Sequence, residues 1–473
     1  MKTRPNFLKP PTARTGFFGG AFILAAAVLA PSAQTAADQL SEERQHAART
    51  AASLETEVDR YMQPYLDTGN FSGSVLIGHS GKILLSKAYG SASSEHGVQN
   101  TPKTVFHLAS VSRIFTSAAI LLLEQQGKLS VGDRLSKHLP EWPRGGEITI
   151  HHLLTLSAGF PNINIMPDYG TWQMFPQTPE TLVEKFRHLP LEFEPGEQSV
   201  HSNSNYNVLA LLIEKLSGQT YGEFLESGIL APLAMTQTAH HGDPTRVVPH
   251  RATGYTPAGL AQLIRAPTID WSMKTGNCSM YSTAEDLYKF DRALVNRSLL
   301  GEEAVTKTFT EHFPHVGYGW FIRERFGTRE IHINGRSPGF GTYWGRSVGN
   351  DVTVILLGNI YNSVTTPMGR DLIAMVLGEE FESASIRSEP PDPALLAEIV
   401  GSYQFGPEFY APNATVTFHV QDGHLFSGPG WIMPTEGLKF VHRIYFSDLE
   451  FLRDDSGEVA ALQFDRFLGK RID

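Results

Sequence analysis

The stretch "FHLASVSRIFTSAAILLLEQQGKL" carries a serine at the start of a predicted helix and an arginine three residues later. Residues three apart lie on one face of a helix, so Ser110 and Arg113 are expected to be neighbours. A serine in this position is often a nucleophile when a lysine stands beside it. Arginine stays protonated at any working pH, so Arg113 cannot serve as a base. It can stabilise developing negative charge, bind a carboxylate through two hydrogen bonds, or form a structural ion pair at the floor of a pocket.

Composition and charge exclude several classes of protein. The chain has 473 residues, 41% of them hydrophobic, and a formal net charge of −10. This is ordinary globular composition, and the negative charge gives no reason to expect binding to nucleic acid or to anionic lipid. No spacing typical of metal ligands occurs, so we expect no metal and no cofactor. The one cysteine, Cys278, cannot form an intrachain disulfide, and we interpret it as a buried small apolar side chain rather than a reactive thiol.

The first 37 residues have the layout of a secretory signal peptide. Four cations and no acid precede a short apolar run, residues 16–30, and small residues follow it. This order is typical of a signal that is removed on export, here after Ala37. The apolar run is short for a membrane span, although an uncleaved anchor is the alternative. We therefore expect a periplasmic or secreted protein with no integral membrane span once the signal is removed.

Hydrophobic periodicity predicts helices on a sheet whose strands come from two distant parts of the chain. Apolar residues recur at helical spacing from Leu54, which indicates an amphipathic helix over roughly 40–62 that Pro64 would end. Strand-like runs follow at "SGSVLIG" and "KILLSKAYG", and others come late at "REIHING", "GTYWGRS" and "DVTVILLGN". Between these two groups lies the helix that begins at Ser110, which is apolar on nearly every side and is therefore expected to be buried.

A proline-rich segment, "SEPPDPALL", precedes a change of pattern. Beyond it apolar and polar residues alternate, as in "TVTFHV", and Asp422 with Gly423 supplies a hairpin turn. We predict an α+β domain over residues 38–389 and a small all-β domain over residues 390–473. Because the first domain would have a complete sheet and helices of its own, we expect a chain ending near Glu389 to stay folded.

These segments, taken in order, resemble the penicillin-recognising serine hydrolases, in the branch of class C β-lactamases, D-alanyl-D-alanine carboxypeptidases and related esterases. The resemblance covers about residues 71–378 and includes "TVFHLASVSRIFTSAAILLLEQQGKLSVGDRL", "ITIHHLLTLSAGFP", "FEPGEQSVHSNSNYNVLALLIEKLSGQTYGEFL" and "RSPGFGTYW". It implies a β-lactamase/transpeptidase-like antiparallel sheet flanked by helices. It also implies chemistry at three places: a Ser-x-x-Lys motif whose serine attacks a carbonyl, a Tyr-x-Asn motif, and a Lys/His-x-Gly strand.

The chain departs from the family at all three places. The first motif reads "SVSR" at residues 110–113, without the lysine, and the second reads "HSN" at residues 201–203, with histidine in place of tyrosine. The third reads "ING" at residues 333–335 when it is aligned without a gap on "PGF" at residues 338–340, and the cation is then missing. An alignment on His332 keeps a histidine but inserts one residue. We favour the alignment without a gap, in which His332 points away from the cleft because successive strand residues face opposite sides.

The remaining groups suggest a changed proton relay. If His201 takes the place of the family tyrosine, its imidazole, with an ordinary pKa of about 6.5, suits proton transfer from Ser110 at neutral pH. A loop histidine that only fills the volume of the tyrosine is the alternative. Asn203 keeps the family identity, and its amide could orient a substrate carbonyl. The oxyanion hole would use the backbone N–H groups of Ser110 and of Arg336, which follows Gly335, and backbone donors do not depend on side-chain identity.

Two functions of different classes remain open. The first is a serine hydrolase that acts on an ester or peptide bond of a small-molecule or peptide substrate. The second is a pseudoenzyme that uses the cleft to bind a ligand or a cell-wall peptide. The retained nucleophile and a candidate base favour the hydrolase, whereas the lost lysine and tyrosine favour the pseudoenzyme. We favour the hydrolase, without β-lactamase activity proper, and the sequence leaves substrate and oligomeric state open.

Overall fold

The computed structural model describes residues 52–381 and 386–473. Its centre is an antiparallel sheet of six strands in the spatial order β3-β4-β5-β6-β1-β2. The strands are β1 Gly73–His79, β2 Lys82–Tyr89, β3 Phe321–Arg325, β4 Thr328–Ser337, β5 Phe340–Ser347 and β6 Val352–Gly358. Strand β1 pairs with β2 on one side and with β6 on the other. The predicted α+β class, with a sheet built from early and late strands, is confirmed.

Helices and short strand pairs fill the chain between and around these strands. The longer helices are α1 over residues 52–67, α2 Arg113–Gln125, α3 Ser204–Ser217, α4 Ala284–Val295 and α5 Thr365–Leu377. The shorter ones are Leu135–His138, Ile150–Leu154, Tyr169–Trp172, Pro179–Glu184, Tyr221–Leu225, Glu302–Thr308 and Pro393–Ile399. Short strands outside the main sheet are Ser91–Ser93, Val98–Gln99, Phe106–His107, Ala239–His240, Tyr255–Ala258, Gln262–Arg265 and Met280–Ser282.

Alternation along the strands divides the apolar residues into two cores. On β6, Ile355 and Leu357 belong to the core that contains α2, whereas Val354 and Leu356 belong to the core that contains α1 and α5. Successive strand residues point to opposite faces of a sheet, so one strand supplies both cores. The sheet is therefore covered on both faces, and α2 lies buried in the first core as its composition predicts.

Pro64 does not end the first helix, contrary to the prediction. Helix α1 continues to residue 67, and Thr68 N donates a hydrogen bond to Pro64 O at 3.2 Å. Proline lacks an N–H group and disturbs the turn before it, but its carbonyl still accepts a hydrogen bond from the turn after it. Burial of Met62 and Tyr65 in the second core offsets the lost bond.

The C-terminal residues form a closed eight-stranded barrel, which confirms the predicted all-β character of this part. Its strands are β7 Gly401–Gln404, β8 Thr415–Gln421, β9 His424–Ser427, β10 Gly430–Pro434, β11 Lys439–His442, β12 Asp448–Arg453, β13 Val459–Phe464 and β14 Phe467–Arg471. The first strand, β7, pairs with both β8 and β14, so the barrel has no open edge.

The barrel shares an apolar core with the sheet. The barrel residues in the core of α1 and α5 are Phe426, Trp431, Met433 and Val441. Arg443, which is 1% exposed, donates hydrogen bonds to the backbone carbonyls of Ala258 and Gly259 at 3.2 and 3.0 Å. The expectation that a chain ending near Glu389 stays folded is therefore at odds with the packing.

None of the helices within residues 52–381 and 386–473 combines the length and the apolar character that a membrane span requires. The predicted signal peptide and the start of the first predicted helix lie outside the described residues.

Candidate active site

Ser110 lies in a tight turn that leads into helix α2. The 3₁₀ turn Ala109–Ser112 precedes the α-helix, so Ser110 stands just before the helix rather than at its first residue. Ala109 has a φ of 49°, a conformation that costs a non-glycine residue about 1–3 kcal/mol and is typical of functional sites. Leu108 N–H donates to Met280 O at 2.9 Å, and this bond holds the turn in place. The hydroxyl of Ser110 is thus presented by backbone that has little freedom to move.

Strand β4 passes directly against the backbone of Ser110. A Cβ atom on Gly335 would lie 2.5 Å from Ser110 N, 2.9 Å from Ala109 Cβ and 2.9 Å from Thr342 Oγ1. Real Cβ atoms do not approach other atoms so closely, so this position requires glycine. The contact brings the backbone of Gly335 next to the N–H group of Ser110, which is compatible with the oxyanion hole expected from the sequence.

The same contact favours the alignment of the third motif without a gap. Ile333 lies two residues before Gly335, on the same side of β4, and is buried in the core of α2. His332 faces the other side, with Nδ1 3.4 Å from Glu330 Oε1. Burial lowers the pKa of His332 to about 3 and raises the pKa of Glu330, so this contact is not a pair of opposite charges at neutral pH. If the alignment without a gap is right, the apolar side chain of Ile333 stands where the family cation is expected, and this assignment stays a prediction.

Arg113 is buried without an acidic partner among the described residues. The residue is 4% exposed, its Nε donates to Ser110 O at 3.4 Å, and its guanidinium carbon lies 5.7 Å from the centre of the Tyr206 ring. Burial lowers its pKa, and Tyr206 and Cys278 act in the opposite direction. The structural ion pair considered from the sequence is not what the structure contains. A positive charge is instead available to an anionic group in the site.

His201 lies near Arg113 but makes no hydrogen bond to Ser110 within the described part of the chain. The residue as a whole is exposed, although its ring is crowded by protein atoms. This crowding, with a smaller contribution from the charge of Arg113, lowers the pKa of His201 to about 4. The neutral imidazole is present at pH 7, but the imidazolium that must follow proton transfer is unfavourable.

Asn203 holds a buried acceptor without a partner just before helix α3. Its backbone N–H and its Nδ2 both face Asn162 Oδ1, at 3.2 and 3.5 Å. Its Oδ1 is buried and has no hydrogen-bond partner, which costs about 1–3 kcal/mol. The side-chain amide of Asn203 is therefore oriented by Asn162, and its role toward a substrate stays a prediction from the sequence.

Arg336 directs its side chain toward the barrel while its backbone lies near Ser110. The guanidinium carbon is 5.0 Å from the ring centre of Tyr361 and 4.9 Å from that of Tyr445, and its NH1 group donates to Ser363 Oγ at 3.2 Å. Tyr445 belongs to the segment between β11 and β12. The C-terminal barrel therefore contributes a side chain beside the third motif.

Three residues that were not predicted as site residues, Cys278, Lys274 and Tyr169, lie close together in this region. Cys278 Sγ is 3.5 Å from Ser110 Oγ, so the cysteine is buried as predicted but also touches the candidate nucleophile. Lys274 lies one turn earlier, and its Nζ donates to Tyr169 Oη at 2.5 Å. The one signal in the sequence was a lysine among small and apolar residues in "WSMKTGNCSM", and nothing marked Tyr169.

The site combines the candidate nucleophile Ser110 and candidate backbone donors with a buried guanidinium, Arg113, and a buried amine, Lys274. Charges in a water-poor pocket stabilise an anion more strongly than they would in water. Within residues 52–381 and 386–473, no set of histidine, cysteine and acidic side chains is arranged to hold a metal ion. The arrangement suits attack on a carbonyl carbon, with negative charge developing on the carbonyl oxygen.

Comparisons with known proteins agree with this architecture. The family model named Beta-lactamase matches residues 58–377. PbpX of Bacillus subtilis (strain 168), which bears the name of a penicillin-binding protein, is 31% identical over 357 residues, 74% of this chain and 88% of PbpX. The crystal structure of a penicillin binding protein from Bacillus halodurans superposes with a TM-score of 0.58 at 25% identity, over 67% of this chain and 99% of that one.

A D-amino acid amidase from Ochrobactrum anthropi SV3, crystallised with L-phenylalanine amide, shares the fold. Its TM-score is 0.61 at 21% identity, over 69% of this chain and 99% of the amidase. Family model, relatives and fold thus point to one conclusion. This chain belongs to the Beta-lactamase family, the penicillin-recognising serine hydrolases.

Proposed function

We propose that this protein is an exported serine hydrolase that cleaves an ester or amide bond through Ser110 with a changed proton relay. The contact between Gly335 and Ser110 N carries the proposal. It keeps backbone donors beside the nucleophile although the side chains of all three motifs have changed. In one studied hydrolase the oxyanion hole and substrate binding alone leave about 10³–10⁴-fold catalysis over water.

The reaction would begin with attack of Ser110 Oγ on the substrate carbonyl carbon. The oxyanion would accept hydrogen bonds from the N–H groups of Ser110 and Arg336, and the positive charge of Arg113 would add to its stabilisation. After a local rearrangement that exposes it, Asn203 Oδ1 would accept a hydrogen bond from a substrate N–H group, which favours an amide or peptide. The D-amino acid amidase that shares the fold supports this bond type by analogy.

The role of His201 as general base stays a prediction from the sequence. With a pKa of about 4, the imidazole is already neutral well below pH 6, so it would not cause a rise in rate between pH 6 and 7. Low basicity also reduces the driving force for taking a proton from serine. These two properties weaken the case for this residue without changing the case for Ser110.

A pseudoenzyme is the second candidate, and one observation favours it. Within the described residues Ser110 Oγ has no hydrogen bond to a basic side chain, and its polar contact is with Cys278 Sγ. A cleft with the buried charge of Arg113 and a silent serine would bind an anionic ligand without turnover. Covalent capture of the serine separates the two functions.

A fluorophosphonate probe is expected to label the folded protein at Ser110. Ser110→Ala should abolish labelling, and Gly335→Ala should slow it by about 10²–10³-fold because its Cβ displaces the backbone donors. Mass spectrometry of the labelled peptide identifies the site, and thermal melts verify that each variant is folded. Absence of labelling in the folded wild-type protein would reject the hydrolase and leave the binding protein.

Export is part of the proposal and has its own test. The four cations and the apolar run at residues 16–30 support a cleaved signal. N-terminal sequencing of the protein from the periplasmic or culture fraction should find a chain that starts near Asp38. An intact Met1 on a membrane-bound product would instead indicate an uncleaved anchor.

A further inference from the structure

We propose that Lys274 and Tyr169 provide the proton relay for Ser110, in place of the lysine and tyrosine that this chain has lost from the family motifs. The inference rests on the proposed hydrolase function. Neither residue belongs to the three motifs: Lys274 ends the 3₁₀ turn Trp271–Lys274, and Tyr169 begins the short helix Tyr169–Trp172. The lysine that accepts the proton and the tyrosine whose hydroxyl can conduct it would thus come from other elements of the fold.

Lys274 is the one lysine among the buried polar residues of the described chain, at 5% exposure. It forms no ion pair with an acidic side chain there, and its Nζ donates to Tyr169 Oη at 2.5 Å. Buried lysines are normally paired with a carboxylate because an isolated buried charge is costly. A lysine kept in this position without such a partner has the surroundings that favour the neutral amine.

The fold brings this pair to the nucleophile through Cys278. The backbone N–H of Cys278 donates to Lys274 O at 2.9 Å, so the two residues share one turn. Cys278 Sγ lies 3.5 Å from Ser110 Oγ, and both Lys274 and Tyr169 interact electrostatically with Cys278. The side chains of Ser110, Cys278, Lys274 and Tyr169 therefore lie close together. A bridging water or a small side-chain rotation connects Lys274 and Tyr169 to Ser110, as is common when a substrate binds.

Rigid contacts hold this turn in place. The Trp271 ring stacks on the His107 ring with centres 3.5 Å apart and planes 8° apart, and Asp270 Oδ1 accepts a hydrogen bond from Ser272 N at 3.0 Å. After the turn, Gly276 has a φ of 89°, and a Cβ there would lie 2.1 Å from Tyr206 O. The backbone that carries Lys274 is thus packed on both sides, as a precise proton acceptor requires.

Lys274 can exist as a neutral base where Arg113 cannot. Burial lowers the pKa of Lys274, while the electrostatic effects of Cys278 and Tyr361 act in the opposite direction. Arg113 is not among the groups that shift Lys274, whereas its charge does lower the pKa of His201. The Lys274 amine is therefore a better proton acceptor than the His201 imidazole.

The proton balance of the reaction is simple. As Ser110 Oγ forms a bond to the carbonyl carbon, its proton passes through the Tyr169 hydroxyl or a water to the neutral Lys274 Nζ, and the carbonyl electrons move to the oxygen. When the bond to the leaving group breaks, the Lys274 ammonium returns that proton to the leaving group. Water then hydrolyses the acyl-enzyme by the same route, and Ser110 regains its proton.

Fluorophosphonate labelling rates across pH 5–10 test the relay. Lys274→Met should slow labelling by about 10²–10⁴-fold, the usual contribution of general base catalysis, and should remove the rise in rate with pH. Lys274→Arg keeps a nitrogen donor at this position but cannot accept the proton, so it should be equally slow. Tyr169→Phe should be slower than wild type. Lys307→Met is the matched control, because Lys307 is paired with Glu124 and Glu303 at the surface.

Chemical rescue separates a base from a structural residue. Ethylamine should restore labelling of Lys274→Ala in proportion to the free amine, and tetramethylammonium, which cannot accept a proton, should not. If the wild-type protein is labelled, any one of three results would overturn the relay and leave the hydrolase standing. Lys274→Met could be labelled at the wild-type rate, Lys274→Arg could be fully active, or Lys274→Ala could be slow without being rescued by ethylamine. Absence of labelling in the wild-type protein would reject the hydrolase itself, and the relay with it. Thermal melts verify that each variant is folded. If Lys274→Met and Lys274→Ala do not fold, the labelling rates of Lys274→Arg and Tyr169→Phe test the relay.

Discussion

A chain shortened to end at Glu389 is expected to lose its cooperative thermal transition and to aggregate. The missing barrel residues in the core of α1 and α5 are Phe426, Trp431, Met433 and Val441. Burial of a large apolar side chain stabilises by about 1.5–3 kcal/mol, so the loss is on the order of 6–12 kcal/mol. A typical domain has a free energy of unfolding of about 5–15 kcal/mol. The loss is therefore as large as the stability itself.

Circular dichroism melts and size-exclusion chromatography of residues 38–389 and 38–473 measure this effect. Within the full-length chain, Trp431→Ala should cost about 3–5 kcal/mol because the indole is buried in the shared core. Leu468→Ala, at an exposed barrel position, is the matched control and should change little. A monomeric 38–389 chain that melts cooperatively at the full-length temperature would show that the two parts are independent after all.

Acidification from pH 7 to pH 4.5 is expected to lower the free energy of unfolding by several kcal/mol. Buried histidines with lowered pKa values are the cause: His107, His241, His332, His424 and His442. In the unfolded chain a histidine takes up its proton at about pH 6.5. In the folded chain it does so only at lower pH, so the unfolded state binds more protons and the stability falls as the pH decreases through 6.5.

His442 shows the physical cause. Its Nδ1 accepts hydrogen bonds from the N–H groups of Ile444 at 3.1 Å and Tyr445 at 3.3 Å, which needs an unprotonated nitrogen. Burial and the charge of Arg336 lower its pKa to about 4. A pKa shift of this size lowers the free energy of unfolding by on the order of 2 kcal/mol at pH 4.5. Burial raises the pKa of Asp371 to about 6. Because the folded state then binds this proton more readily than the unfolded state, Asp371 offsets the loss of stability caused by roughly one such histidine.

Urea denaturation at pH 7, 6, 5 and 4.5 gives the slope of stability against pH. His442→Asn keeps an acceptor near the position of Nδ1 but does not titrate, so it should reduce the slope relative to wild type. His96→Asn, at an exposed position, should leave the slope unchanged. Equal stability at pH 7 and pH 4.5 would contradict the prediction.

The sequence by itself determined the features that depend on local spacing. Alternating residues located the strands of the sheet, and the change of pattern after "SEPPDPALL" located the barrel. Motif order led to Ser110 and Gly335, which the fold brings into contact. These features follow from the periods of strands and helices and from short motifs, and each can be recognised within a single segment. The prediction that Pro64 ends the first helix was wrong. The energetic cost of a proline inside a helix is offset here by burial of the neighbouring residues, and a local sequence pattern does not show burial.

Which side chains surround Ser110 could not be recognised from the sequence and follows from the packing of the folded chain. Cys278 is 168 residues from Ser110, and Tyr169 is 105 residues from Lys274, yet they form one cluster. Among the residues that the structure describes, Arg113 has no carboxylate partner and His201 makes no hydrogen bond to Ser110. Such contacts depend on how turns and loops pack around a sheet, and turns have no periodic signal that reveals their neighbours. Burial then determines the protonation of these groups, because the same lysine or histidine has a different pKa once water is replaced by protein.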